Sequence, residues 1–181
     1  MPSTLILSIM GPDRPGLVET LSGTLLARGA NWTESRMSRL GNQFAGIVLI
    51  SVPDDEVVAL EHDLGELRAR GLRVSVDSVR TPIEHPMRRT IRLEFTGQDR
   101  PGLVQKVAEA VATAGISIEE LDTRCESAPW SGETIFRARA VLSAPSDMVV
   151  EALMQRFEAI ANELMVEISV HELTSARPRL V

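Results

Sequence analysis

The sequence predicts an α+β fold built from two similar units, and three observations lead to this prediction. The stretch GPDRPGLV at residues 11–18 returns as GQDRPGLV at residues 97–104. The repeat continues beyond this motif, because Gly29 matches Gly115 at the same offset of 86 residues. Both copies also show the same succession of alternating and helically spaced apolar residues, so the chain reads as an internal duplication of about 80 residues per unit.

Each copy predicts the same order of elements. Leu5, Leu7 and Ile9 alternate with other residues, which indicates a half-buried strand. The repeated motif follows, and the apolar residues after it return at helical spacing. Two strands, a second helix and a final alternating strand complete the unit. This β-α-β-β-α-β order is the split βαβ, or ferredoxin-like, arrangement, with two helices on one face of a four-stranded antiparallel sheet. The paired middle strands are predicted over 32–39 and 44–52, and over 117–125 and 134–143.

The predicted domain boundaries follow from the repeat. The first unit covers residues 1–80 and the second covers residues 90–173. The segment 81–89 contains two prolines and adjacent charges, so it is predicted to be a linker, and 174–181 is a C-terminal tail.

Composition narrows the classes of function. Apolar residues make up 44% and charged residues 24% of the chain, which is ordinary for a globular protein. The net charge of −6 disfavours direct binding of nucleic acid. A single cysteine excludes an internal disulfide and fits a reducing cytoplasm, and neither a signal peptide nor a membrane-spanning run is evident.

The repeated loop has the composition of an anion site. Pro15 suits the first helical position, Asp13 can accept hydrogen bonds from the first turn, and Gly16 allows another molecule to approach closely. Free N–H groups and the positive end of the helix dipole then favour a carboxylate. The alternative is a well-capped helix start and nothing more. Asn31, which begins the next strand near the sheet's centre or a partner interface, and its counterpart Ser117 are either site residues or simple turn residues.

These features resemble the ACT domain, in which G-x-D-R-P-G-L-V joins the first strand to the first helix. Two such units covering about residues 4–172 resemble the glycine cleavage system transcriptional repressor family, and GANWTESRMSRLGNQFAGIVLISVP follows that family's layout. The resemblance implies a small amino acid, glycine or serine, bound at interfaces between ACT units, and a homodimer. It implies that backbone N–H groups bind the ligand carboxylate and that Asn31 accepts a hydrogen bond from the ligand ammonium. It also implies that Asp13 shapes the loop. The implied ligand-binding residues are Gly11, Asp13, Arg14, Gly16, Leu17, Asn31, Gly97, Asp99, Arg100, Gly102, Leu103 and Ser117.

The sequence offers no catalytic set, so an enzyme is not predicted. No GxSxG motif is present, the three histidines are far apart, and neither a metal nor a cofactor is expected. The favoured hypothesis is a cytoplasmic, amino-acid-responsive repressor that acts through a LysR-type activator, as the resemblance implies. The alternative is a stand-alone ACT subunit that tunes a metabolic enzyme.

Two surface features leave alternatives open. The longer second hairpin, with Pro129 and Trp130, is either a partner contact or a loop that folds back onto its domain. Arg137 and Arg139 share one strand face, where they either receive an acidic partner or face water.

Overall fold

The computed structural model describes residues 2–79, 88–127, 133–148 and 150–173. The chain divides into two compact units, Met1–Ile83 and Glu84–Val181. Arg88 and Arg89, which the sequence assigned to the linker, lie in the first strand of the second unit. The rest of the predicted linker, the C-terminal tail and the residues Pro129 and Trp130 fall outside the described residues.

Both units have the predicted order of elements, and each forms one antiparallel sheet. The strand order is β2-β3-β1-β4 in the first unit and β6-β7-β5-β8 in the second. The elements of the first unit are β1 (Pro2–Pro12), α1 (Leu17–Ala27), β2 (Asn31–Leu40), β3 (Gln43–Pro53), α2 (Val57–Glu66, between 3-10 turns Asp54–Glu56 and Leu67–Arg70) and β4 (Arg73–Ser78). Those of the second are β5 (Arg88–Gln98), α3 (Leu103–Thr113), β6 (Ser117–Ser127), β7 (Thr134–Pro145), α4 (Val150–Leu164) and β8 (Val166–Leu173). The ferredoxin-like prediction is therefore confirmed.

Each core lies between the two helices and one face of the sheet. In the first unit Leu5, Leu7 and Ile9 of β1 are buried with residues of α1 and α2 in one cluster. In the second unit Phe95 and Phe136 pack with ring centroids 5.5 Å apart, and Phe157 of α4 is buried in the same cluster. The period-two pattern of the strands and the helical spacing thus converge on one apolar layer.

Both helices that follow the repeated motif end as the sequence predicts. Gly29 and Gly115 adopt left-handed φ angles of 63° and 68°. The N–H of Ala30 donates to the carbonyl of Leu25 at 3.0 Å, and the N–H of Gly29 donates to that of Leu26 at 3.0 Å. This is the Schellman arrangement, which satisfies the last carbonyls of the helix and directs the chain into β2.

The start of these helices differs from the prediction. Gly16, not Pro15, is the N-cap residue of α1, and its φ of 89° is left-handed, so Pro15 lies in the turn outside the helix. The second unit repeats this arrangement, with Gly102 at φ 93° before α3. No side chain caps either helix, so the expected capping by Asp13 is wrong.

We predict that Gly97→Ala destabilises the second unit by about 1–3 kcal/mol, because a Cβ at this position would lie 2.3 Å from Cγ1 of Val166. The matched control is Gly23→Ala in α1, where an added Cβ meets nothing within 4 Å and the change stabilises by roughly 0.5–1 kcal/mol. Denaturant unfolding of both variants checks the prediction, and equal effects would contradict it.

We also predict a pH-dependent contribution from Arg28, whose Nε lies 2.7 Å from Oδ2 of Asp63. This hydrogen bond holds the pKa of Asp63 below its ordinary value. A lowered carboxyl pKa stabilises the fold above the unfolded value of about 3.9, and this contribution is lost as the pH falls through the folded pKa. Arg28→Ala should therefore lower the melting temperature at pH 7 and have a shrinking effect below about pH 4. Arg68→Ala, at an exposed arginine of the same unit, is the control.

Candidate functional site

The two copies of the repeated loop lie at one end of their sheets, where β1 and β5 end and α1 and α3 begin. The left-handed N-cap glycines leave the first-turn N–H groups of both helices without a side-chain cap. Uncapped N–H groups at the positive end of a helix attract a carboxylate or another small anion. The anion site stays a prediction, and the helix that would carry it begins two residues later than expected.

In the first loop both charged side chains hold the loop to its own unit. The N–H of Asp13 donates to the carbonyl of Asn42 at 2.9 Å, and Oδ2 of Asp13 accepts from Nη1 of Arg39 at 3.3 Å. Nη2 of Arg14 donates to the carbonyl of Arg70, at the end of the turn before β4. Asp13 and Arg14 thus tie the loop to the β2–β3 hairpin and to the turn before β4.

The second loop keeps the backbone anchor and changes the side-chain contacts. The N–H of Asp99 donates to the carbonyl of Thr134 at 3.0 Å, but its carboxylate lies beside Cys125 instead of an arginine. Partial desolvation raises the pKa of the Cys125 thiol, and the nearby Asp99 carboxylate raises it further. Nη2 of Arg100 donates to Oε1 of Gln98 at 2.8 Å, a local contact within an exposed part of the loop.

The glycines of the motif have two different roles. Gly11 and Gly97 allow close packing, because an added Cβ would lie 2.7 Å from the carbonyl oxygen of Gly71 or 2.3 Å from Val166. Gly16 and Gly102 meet no such contact, and their requirement is the left-handed φ angle. A substitution at any of the four changes folding, so none of them is a clean probe of binding.

The leucines of the predicted site belong to the core. Leu17 and Leu103 are 6% and 2% exposed, so their side chains are not available to a ligand. Each can contribute only its backbone N–H, as part of the first turn of its helix.

One difference between the loops is visible in the aligned sequences GLVET and GLVQK but was not part of the sequence prediction. In α1, Oε2 of Glu19 lies 3.8 Å from the position of a Cβ built on Gly16. The carboxylate of Glu19 therefore lies over the N-terminal end of its own helix, where it stabilises the dipole. At the equivalent position α3 has the neutral Gln105. Only the first loop carries a built-in negative charge there.

Asn31 and Ser117 lie far from the loops within their own units. Asn31 pairs with Ser51 across β2 and β3, and Ser51 pairs with Thr4 of β1. Thr4 is seven residues before Gly11, a separation of about 23 Å along a strand. β2 is moreover an edge strand, so the expectation that Asn31 lies near the sheet's centre is wrong.

Ser117 has an arginine beside it, which the sequence analysis did not anticipate. Nη2 of Arg88 donates to the carbonyl of Ser143 at 2.6 Å and lies 3.4 Å from Oγ of Ser117. Nε of Arg88 is buried without a hydrogen-bond partner among the described residues. This guanidinium makes the start of β6 electrostatically different from the start of β2.

The remaining sequence candidates are surface features. Nε of Arg137 lies 3.3 Å from Glu126, and Nε of Arg139 lies 3.5 Å from Glu94, so both arginines have acidic neighbours on their own sheet. Among the described residues no cluster of three or more metal-ligating side chains occurs. No helix in this part of the chain is long and apolar enough to cross a membrane.

Comparison with known proteins finds a family match in the first unit. Residues 3–77 match the family described as the ACT domain. The second unit has the same order of strands and helices as the first, so both units have the α+β, ferredoxin-like fold of the domain that matches this family.

The chain resembles the glycine cleavage system transcriptional repressor. It is 24% identical to the protein of that name from Escherichia coli strain K12 over 169 residues, which cover 92% of this chain and 88% of the relative. A solved structure of an unknown protein from Galdieria sulphuraria is 29% identical with a TM-score of 0.85, and the match covers 96% of this chain and 100% of that one. A crystal structure provisionally named as the same repressor is 21% identical, with a TM-score of 0.72. The match covers 97% of this chain and 99% of that one, and it supports the fold.

We predict that Asp99→Asn speeds modification of the single cysteine by a thiol-reactive disulfide reagent a few-fold at pH 8. Removing the carboxylate lowers the pKa of Cys125 toward its ordinary value, and the thiolate is the reactive form. Asp13→Asn makes the same change in the first loop and should leave the rate unaltered. Equal rates for the two variants would contradict the prediction.

Proposed function

We propose that this protein is a non-enzymatic, amino-acid-responsive regulator that represses the glycine cleavage system through a protein partner. The main support is the likeness to the named repressor over 92% of the chain. In the described ranges every α-helix is followed by a strand, so those ranges contain no helix-turn-helix unit. Together with the net charge of −6, this favours action through another protein, for which a LysR-type activator is the candidate.

The proposed ligand is a small amino acid, glycine or serine, whose carboxylate binds first-turn N–H groups after the left-handed glycine. The repeated loop supplies these groups without a competing side-chain cap. The side chains of Leu17 and Leu103 are buried, so recognition there depends on the backbone. Backbone recognition suits a ligand that has little side chain of its own.

The second loop is the better carboxylate site of the two. In the first loop the carboxylate of Glu19 already lies near Gly16, where a ligand carboxylate would be repelled. In the second loop Gln105 is neutral and the exposed Arg100 adds a positive charge. Arg14, by contrast, is held by the carbonyl of Arg70. We propose that the duplication has kept one responsive loop, whereas the other has a carboxylate of its own beside the helix start.

The ligand ammonium has a different requirement. Asn31 offers a side-chain oxygen, whereas Ser117 lies beside the guanidinium of Arg88, which repels a second cation. Because each unit holds its loop and its Asn31 or Ser117 at opposite ends, a ligand that used both features would have to bridge two ACT units. A bridging ligand would favour one arrangement of units over others, which is how binding would become a signal.

We predict that glycine or serine raises the melting temperature of the full chain. At about 100 times Kd one site adds roughly 2.7 kcal/mol, which is about 5–10 °C for a chain of this size. Gln105→Glu should weaken binding by about tenfold, because it places a carboxylate where the ligand's carboxylate binds. Glu19→Gln is the matched reverse change and should leave this binding intact.

The outcomes separate the two parts of this proposal. No shift with any amino acid would overturn ligand binding altogether. A shift that survives Gln105→Glu would show that the second loop is not the site. The rate of Cys125 modification gives a second readout, because the thiol lies beside Asp99 of that loop.

The partner is tested separately. We predict that the purified chain retains the LysR-type activator of the same genome in a pull-down, and that glycine changes the retained amount. Gln105→Glu, which impairs the ligand site alone, should retain the activator without this response. Recovery of no activator, with or without glycine, would contradict the transcriptional role and favour the tuning of an enzyme.

A further inference from the structure

The face of the first sheet that is turned away from its helices is apolar at its centre. Because Leu5, Leu7 and Ile9 point into the core, the alternate residues Ile6 and Met10 of β1 point to this open face. Across β3 they pair with Leu49 and Ala45, and Ile47 lies between these two. Ile47 is 51% exposed and Met10 is 41% exposed.

The second unit has replaced this surface with charged residues. The positions equivalent to Ile6, Met10 and Ile47 hold Arg92, Thr96 and Arg139. Arg139 pairs with Glu94 on the same face at 3.5 Å. The open face of the first unit is therefore apolar at its centre, whereas that of the second unit is charged. Burial in an interface would lower the free energy of the apolar face only.

We propose that the open face of the first unit is the interface between two copies of this chain, packed face to face. Its charges are arranged for a two-fold pairing. Asp77 pairs with Ile6 across β1 and β4, and Arg73 pairs with Met10, with Ser8 and Ser75 in the row between them. A two-fold axis perpendicular to the strands through this middle row places Asp77 opposite Arg73 of the second copy, twice per dimer.

The same rotation gives apolar complementarity. Ile6 and Leu49 of one copy meet Met10 and Ala45 of the other, so large side chains face a flexible one and a small one. The small serines of the middle row allow the sheets to approach. At the β2 edge the two copies of Arg36 come near each other, but Nη2 of each lies 3.9 Å from Glu34, which keeps that edge close to neutral.

The size of the face suits a dimer. The four strands of 11, 10, 11 and 6 residues, with a rise of about 3.3 Å per residue and a spacing of about 4.8 Å, give a face of roughly 600 Å². Standard protein interfaces bury roughly 800 Å² on each partner. This inference does not rest on the proposed ligand or on the proposed transcriptional role, because the interface is built from residues outside both loops.

Sedimentation equilibrium of the full chain tests the proposal. We expect a dimer, and we expect Ile47→Arg to raise its dissociation constant by more than about tenfold, because an unpaired guanidinium would be buried. The second unit has Arg139 at the equivalent position, so the fold accommodates this residue. Leu26→Arg is the matched control, since Leu26 is an apolar residue 77% exposed on α1, away from this face.

Exchanging the charges of Asp77 and Arg73 tests whether the molecule that packs on the open face is a second copy of this chain. Asp77→Arg alone should weaken the dimer, and the double variant with Arg73→Asp should restore it, because the two positions oppose each other only across a two-fold axis. A wild-type chain that stays monomeric, a dimer that Ile47→Arg leaves intact, or a double variant that fails to recover would each overturn the proposal. Circular dichroism of every variant confirms that the sheet has formed.

Discussion

The turn from a central strand into the first helix is the constraint on which each unit depends. The chain must leave β1 or β5, reverse, and place a helix over the sheet within a few residues. A glycine with φ near 90° immediately before the helix accomplishes this change of direction. Any other residue would be strained there. The same glycine leaves the helix start without a side-chain cap, so the geometry that closes the core also exposes the polar groups proposed to bind a ligand.

The duplication shows which contacts the fold requires and which it merely tolerates. Both units keep the backbone hydrogen bond from the motif aspartate to the neighbouring hairpin, at 2.9 and 3.0 Å. The aspartate carboxylate, however, meets Arg39 in one unit and Cys125 in the other. The backbone contact belongs to the fold, whereas the side-chain contact was free to diverge. A residue shared by both motifs is therefore weak evidence for binding, and a residue that differs between them carries more information.

Periodicity and repetition predicted nearly all of the architecture because these signals come from burial, which is repeated along every strand and helix. They failed at positions where a single backbone angle, or the pairing of distant strands, determines where a residue lies. Pro15 looked suited to the first helical turn, but Gly16 takes the N-cap position and excludes it. Asn31 lies only thirteen residues after the end of the motif, yet one helix carries it to the far end of the sheet. Arg88 was predicted to be part of a linker, although it begins β5 and its guanidinium donates to the carbonyl of Ser143 in the neighbouring β7.

The divergence of the open faces has a consequence for how a signal could be transmitted. If the open face of the first unit packs against a second copy as proposed, that unit is held in the dimer, whereas the charged face of the second unit is compatible with water. The loop differences follow the same division, since the first helix start has the carboxylate of Glu19 near Gly16 and the second has the neutral Gln105 at the equivalent position. One unit would then supply assembly and the other would supply response. Under these proposals, such a division would explain why the chain keeps two copies of one fold, with a ligand bound by one copy.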